Sequence, residues 1–119
     1  MSLSFYSVAV PVTRSKLTTL IAAQLPTVSM GNVTTPAGYT PRGRQITIQS
    51  NPGNTAAAFI YIGNFQMVPA TPIGVGAALA PGASWNYGNG SGIADALSDI
   101  YVQASGGAGA DTIYVSVTD

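Results

Sequence analysis

Three residue types that carry much of enzyme chemistry are absent from this 119-residue sequence, which contains no cysteine, no histidine and no glutamate. The lack of cysteine excludes disulfides and thiolate metal sites. General acid–base catalysis would have to use the four aspartates, which are Asp95, Asp99, Asp111 and Asp119. Their spacing is not that of a calcium loop, and no histidine is present to activate a serine. We therefore expect that the protein is not an enzyme and that it binds no metal or cofactor.

Charged side chains are also scarce. They make up 7% of the sequence, against about 25% in a typical soluble domain. Lys and Arg total 4 and Asp and Glu total 4, so the net charge is zero. Because the hydrophobic fraction is an ordinary 46%, the exposed surface is expected to be neutral and partly apolar, and such a surface tends to associate. We predict a subunit of an assembly, with a secreted monomer as the alternative.

Basic residues occur in only two close pairs, Arg14 with Lys16 and Arg42 with Arg44. Nucleic-acid binding requires clustered Lys and Arg, so the sequence predicts no nucleic-acid partner. No stretch approaches the roughly 20 consecutive apolar residues that span a membrane. The first residues, MSLSFYSVAVPVTRSK, lack the basic start, apolar run and cleavage site of a signal peptide. We expect no membrane partner and no signal-directed export.

The C-terminal two-thirds of the chain predicts short strands separated by turns. Apolar and polar residues alternate in Gln45–Ser50, with the period of a half-buried strand. The tetrapeptide NPGN at 51–54 has the Pro and Gly of a type II turn, and the apolar run Ala56–Ile62 follows it. These two runs are expected to pair as a hairpin. Asp99–Ser105 and Asp111–Thr118 are the clearest strands, and the glycine-rich loop between them predicts a second hairpin.

The chain between these strands is less regular. Only one short strand, Gly76–Leu79, is predicted within 65–80, which contains two prolines. Pro81-Gly82 predicts a second type II turn, and the short strand after it carries the only tryptophan, Trp85, which we place in the core.

The N-terminal third has a different character. Phe5–Thr13 is predicted to be a strand and Lys16–Leu25 a helix that stops at Pro26. Residues 26–43 have three prolines and no sustained period, which is typical of an extended loop or of an arm ordered by a neighbour. About seven short strands and almost no helix predict one all-β domain over residues 1–119, a β-sandwich or small jelly roll. A barrel of the same strands is the alternative.

The dipeptide Ile-Tyr recurs in three predicted strands, at 60–61, 100–101 and 113–114. Because side chains alternate along a strand, each isoleucine is expected in the core, and Tyr61, Tyr101 and Tyr114 are expected to point outward. One interpretation is that the tyrosines cover a half-buried outer face beneath a loop. The other is an interaction surface, either for a protein or for sugar rings that stack on aromatic side chains.

The run ITIQSNPGNTAAAFIYIGN, with GVGAALAPGASWNYG and LSDIYVQASGGAGADTIYVSV after it, resembles a pattern in small virion proteins of tailed bacteriophages. In that pattern a YIGN strand end, an L-x-PG turn and a DIYV-x-AS strand precede a final valine-rich strand. The resemblance covers roughly the last two-thirds of the chain. It implies a β-sandwich capsid decoration (cement) protein, or a similar head or tail accessory protein.

From the residues and the resemblance together, we expect a structural protein on the capsid surface of a virion. It would be a homo-oligomer, a trimer, that binds the major capsid protein, bridges coat subunits and stabilises the shell. Segment 26–43 would reach onto a neighbour, and the predicted interface residues are Tyr61, Tyr101, Tyr114, Tyr39, Arg42 and Arg44. The alternatives are a tail or neck structural protein of similar fold and a carbohydrate-binding or adhesion module that uses Tyr61, Tyr101, Tyr114 or Trp85.

The scarcity of charge generates the first testable prediction. Light scattering at micromolar concentration should give a mass well above the 12.0 kDa of one chain. High salt should leave this mass unchanged, because apolar contacts are not screened as ion pairs are. A mass near that of one chain would contradict the prediction and favour the monomer.

Overall fold

The computed structural model describes residues 3–24, 29–30, 33–34, 45–87, 99–106 and 111–118. The elements in these ranges are β1 Leu3–Ala9, β2 Ser15–Lys16, α1 Leu17–Gln24, β3 Ser29–Met30, β4 Val33–Thr34, β5 Gln45–Ser50, β6 Ile60–Val68, β7 Ile73–Leu79, β8 Ser84–Tyr87, β9 Tyr101–Ala104 and β10 Thr112–Thr118. The predicted all-β class is confirmed.

Eight of these strands form two four-stranded antiparallel sheets. Sheet I has the order β1-β10-β5-β8, and sheet II has the order β2-β9-β6-β7. The pairing is nested, because β1 pairs with β10, β2 with β9, β5 with β8 and β6 with β7. A long hairpin that folds over on itself gives this arrangement, which is the jelly-roll form of the β-sandwich. Two separate sheets favour the sandwich over the barrel.

Alternation along the strands builds the core. In β5, Ile46 and Ile48 are fully buried between the sheets, while Gln45 is exposed and the other outward residues are half-buried. Burial of each such side chain contributes roughly 1.5–3 kcal/mol to stability. The same alternation in the other strands supplies most of the remaining core side chains, which are Tyr6, Val8, Ile60, Ile62, Leu79, Val102, Ala104, Ile113, Val115 and Val117. Residues outside the strands complete the core cluster: Val10, Leu17, Ile21 and Ile100.

The N-terminal elements agree with the sequence in type, although the strand predicted at Phe5–Thr13 is observed as β1 Leu3–Ala9. The helix predicted at Lys16–Leu25 is observed as α1, and its residues Leu17 and Ile21, one turn apart, are both buried. Within the predicted loop or arm at 26–43, the described residues are the two-residue strands β3 and β4, which pair with each other. The rest of that segment lies outside the described residues.

Both predicted hairpins are wrong. β5 and β10 lie in sheet I, whereas β6 and β9 lie in sheet II. The chain does turn at 51–54, but a second turn follows directly. In this second turn the Ala58 N–H donates a hydrogen bond to the Thr55 carbonyl at 3.1 Å. Two successive turns carry the chain across the end of the sandwich instead of back along β5. The link from β9 to β10 likewise crosses between the sheets.

The two predicted type II turns have different outcomes. At Pro81-Gly82 the turn is type II, since Gly82 has a φ of 86° and the Ala83 N–H donates to the Ala80 carbonyl at 2.9 Å. The turn at 51–54 is not type II, because Gly53 lacks a positive φ. The Asn51 side chain stabilises it instead, by accepting the Gly53 N–H at 2.9 Å.

Two of the links between the sheets meet at Asp111, which is 3% exposed at the start of β10. Its Oδ1 accepts the N–H and the hydroxyl of Thr55 in the β5–β6 link, both at 3.0 Å. Its carbonyl accepts the N–H of Val10 in the β1–β2 link at 2.9 Å. The neighbouring Thr112 donates its N–H to Asn54 Oδ1 at 2.9 Å, and Asn54 Nδ2 donates to the Thr112 carbonyl at 2.8 Å. These bonds fix where the links cross.

Asp111→Ala should therefore lower the free energy of unfolding by about 1–3 kcal/mol, because it leaves the N–H of Thr55 without its acceptor. Asp111→Asn is the matched control. Its amide oxygen keeps the acceptor, so it should lose less stability. Urea denaturation measures both variants, and an alanine variant as stable as the parent would contradict the proposed role of the carboxylate.

Candidate functional site

The three Ile-Tyr pairs follow the predicted alternation. The isoleucines are buried, with exposed fractions of 1% for Ile60, 6% for Ile100 and 0% for Ile113. Tyr61 and Tyr101 are half-buried and Tyr114 is 43% exposed, all on the outer side of their strands. The inward and outward assignments are confirmed.

The three tyrosines nevertheless do not share one surface. Tyr61 in β6 and Tyr101 in β9 lie on the outer face of sheet II, whereas Tyr114 in β10 lies on the outer face of sheet I. The reason is the crossing between β9 and β10, which the sequence had predicted as a hairpin within one sheet. A single row of three tyrosines, suited to stacking along a sugar chain, is not present.

The outer face of sheet II combines aromatic rings with basic side chains. The rings of Phe59 and Tyr61 are 6.4 Å apart, and the Arg14 guanidinium lies 6.0 Å from the centre of the Tyr101 ring. Lys16 pairs with Tyr101 in register and therefore lies on the same face. We call this surface the aromatic–basic face.

The outer face of sheet I is uncharged over its described positions. Apart from Phe5, Ala9 and Tyr114, its outward residues are all small or amide-bearing polar ones: Ser7, Gln45, Thr47, Gln49, Ser84, Asn86, Thr112 and Ser116. The Thr47 hydroxyl donates to Asn86 Oδ1 at 2.7 Å. Phe5 is 44% exposed, close to the value for Tyr114. We call this surface the neutral face.

A third surface lies at the tip of the β6–β7 hairpin. Phe65, Val68 and Ile73 are 63%, 44% and 56% exposed, and Val68 pairs with Ile73 across the hairpin. We call these three residues the apolar tip. The sequence did not predict it, because residues 65–80 lack a strand period and only Gly76–Leu79 was expected to be a strand.

The side of the sandwich between β7 and β8 holds an open cleft of about 400 Å³. Trp85 and Tyr87 of β8 lie opposite Ile48 and Ile46 of β5, so both rings point toward the space between the sheets. Trp85 was expected in the core; it packs against the core while half-buried, and it lines this cleft. Tyr87 has no counterpart among the predicted site residues, although its spacing of two residues from Trp85 places both on one face.

The two aspartates that the structure describes, Asp99 and Asp111, lie in different environments. Asp99 lines the cleft and is exposed, whereas Asp111 is buried where the links between the sheets meet. The described part of the chain contains no group of three or more acidic side chains that would suit a metal ion. The predicted interface residues Tyr39, Arg42 and Arg44 lie outside the described residues.

No helix within the described ranges is both long enough and apolar enough to span a bilayer. Comparison with models of protein families, with curated proteins and with solved structures finds no match.

Two glycines shape the β7 side of the cleft, and their replacement is a test of its geometry. Gly74 has a φ of 70°, and a Cβ on it would lie 2.8 Å from the backbone nitrogen of Met67. A Cβ on Gly63 would collide with the backbone carbonyl of Gly74. Alanine at either position should lower the free energy of unfolding by more than about 1 kcal/mol.

Gly106→Ala is the control for these variants, because a Cβ there would meet no atom of the described residues within 4 Å and the φ of Gly106 is not positive. Its unfolding free energy should stay within about 0.5 kcal/mol of the parent value. If all three variants have the same urea midpoint, the close approach of β6 to β7 does not require glycine at positions 63 and 74.

Proposed function

We propose that this protein is a structural protein of a bacteriophage virion that binds the outer surface of the capsid, bridges coat subunits and stabilises the shell. The resemblance to small phage virion proteins is one support. Two of its motifs coincide with the expected features, because L-x-PG forms the type II turn and DIYV leads into β9. YIGN does not end a strand, because it lies within β6, which continues to Val68. The jelly roll is also an architecture used in viral capsid proteins.

The observation that carries the proposal is the neutral face. Interface cores are depleted in charge and enriched in aromatic residues, and this face has Phe5 and Tyr114 exposed among uncharged polar side chains. Hydroxyl and amide groups form hydrogen bonds to a partner without the desolvation penalty of charged groups. We therefore assign the contact with the major capsid protein to the neutral face.

The proposal includes a homotrimer, and the apolar tip supports self-association. Phe65, Val68 and Ile73 would leave three large apolar side chains in water on an isolated chain. A contact between copies through these residues would remove them from water. The neutral face, on another part of the molecule, would remain available for the shell.

The test is a binding titration on capsids from which the protein has been removed. A variant carrying Phe5→Ala and Tyr114→Ala should bind about thirtyfold more weakly, because truncation of central aromatic residues in an interface commonly costs about 2 kcal/mol. Tyr87→Ala is the matched control, since Tyr87 has nearly the same exposure as Tyr114, 41% against 43%, but lies in the cleft. Binding of the intact protein should also raise the temperature at which the shells rupture.

Three outcomes would count against the proposal. If the intact protein does not bind capsids, the decoration role is wrong. If it co-purifies with tails alone, its place on the head is wrong. If Tyr61→Ser with Tyr101→Ser abolishes binding while the neutral-face variant binds normally, the docking surface is the aromatic–basic face.

A further inference from the structure

The cleft between β7 and β8 is open because its two walls differ in side-chain size. The β8 wall carries Trp85 and Tyr87, whose rings are stacked 5.7 Å apart with 19° between their planes. The β7 wall consists of Gly74, Val75 and Gly76, which leave most of the space opposite the rings unfilled. A volume of about 400 Å³ is within the range of roughly 300–1,000 Å³ that small-molecule sites usually have.

Two polar side chains, those of Asn64 and Asp99, are among the residues that line the cleft. The Asn64 side chain uses Oδ1 to accept the Gln66 N–H at 2.9 Å, so its Nδ2 remains a donor. Asp99 is exposed, and its carboxylate makes no hydrogen bond or ion pair with any described residue. The cleft therefore offers an aromatic wall, an amide donor and a carboxylate acceptor.

This combination discriminates among classes of ligand. A phosphate or other anion would meet the negative charge of Asp99, and the described residues that line the cleft include no Lys or Arg. A wholly apolar ligand would bury Asp99 and Asn64 without hydrogen bonds, which is costly. A neutral sugar ring satisfies both requirements, because its C–H face packs on an aromatic ring and its hydroxyls bond to carboxylate and amide groups.

We propose that the cleft formed by Trp85, Tyr87, Asn64 and Asp99 binds a neutral pyranose unit of a glycan. This activity is separate from capsid docking, because the aromatic pair points inward from β8 while the neutral face is on the outer side of the same sheet. One such site binds weakly. Many copies on one particle would bind a carbohydrate-coated surface by avidity.

The only tryptophan of the chain lies in this cleft, so its intrinsic fluorescence reports directly on occupancy. The full chain is titrated with glucose, galactose, mannose and N-acetylglucosamine, and with cellobiose, maltose and lactose. At least one of these sugars should give a saturable change in emission. Loss of one stacking ring in Tyr87→Ala should weaken that binding at least about tenfold.

Two further variants make the test specific. Asp99→Asn removes the charge of an exposed side chain and should weaken sugar binding with little effect on the melting temperature. Tyr114→Ala removes a tyrosine of nearly equal exposure from the neutral face and should leave sugar binding unchanged. Tyr87→Ala is thus the test variant in the sugar assay and the control in the capsid assay, whereas Tyr114 has the opposite roles. A failure of one proposal can therefore be distinguished from a failure of the other.

The proposal is overturned if no sugar of the panel changes the emission in a saturable way. It is also overturned if Tyr87→Ala and Asp99→Asn, both shown to be folded by circular dichroism, bind as tightly as the parent. An equal loss of binding in Tyr114→Ala would show that the sugars associate with exposed aromatic rings in general, and the cleft would be rejected as the site.

Discussion

The hydrogen bonds of Asp111 are the contacts on which the rest of the architecture depends. Burial of apolar side chains holds the two sheets together. Because it is non-directional, it does not specify where the chain crosses from one sheet to the other. The bonds to Thr55 and Val10 do specify this, because they fix the β5–β6 and β1–β2 links at the start of β10. A buried carboxylate is tolerated only where it is hydrogen-bonded. Asp111 meets this condition through Oδ1, whereas its buried Oδ2 has no hydrogen-bond partner among the described residues.

Most strands, the short helix and the inward residues were predictable from the sequence, because alternation and turn chemistry are local properties. Their assignment to sheets was not. A short glycine-rich loop between two strands suits a hairpin and a crossing between sheets equally well, and the difference depends on partners far along the chain. At 51–59 the deciding partner is Asp111, which no local pattern around Asn51 or Thr55 indicates. The type II turn at 80–83 was predicted correctly from Pro81 and Gly82, whereas the same Pro-Gly pair at 52–53 forms a turn without a positive φ at its glycine.

The same limit applies to the candidate surfaces. The outward direction of Tyr61, Tyr101 and Tyr114 was predictable from the two-residue repeat of a β-strand. Their division between the outer faces of two sheets was not, because it depends on the sheet topology. The cleft depends on a juxtaposition of β8 with the small residues of β7, which belong to different sheets. The spacing of Trp85 and Tyr87 was a usable signal for an aromatic wall. The apolar tip had none, because the irregular pairing of β6 with β7 conceals the strand period.

The nested pairing also has a consequence for how the chain acquires its structure. Leu3 pairs with Thr118, and β10 lies between β1 and β5 in sheet I. During synthesis, β1 and β5 leave the ribosome long before the strand that joins them, so sheet I is not completed while the chain grows. Contacts at such large sequence separation make folding slow, and the apolar faces of β1 and β5 stay uncovered in the meantime. A sequence with so little charge is then most exposed to aggregation before β10 is synthesised.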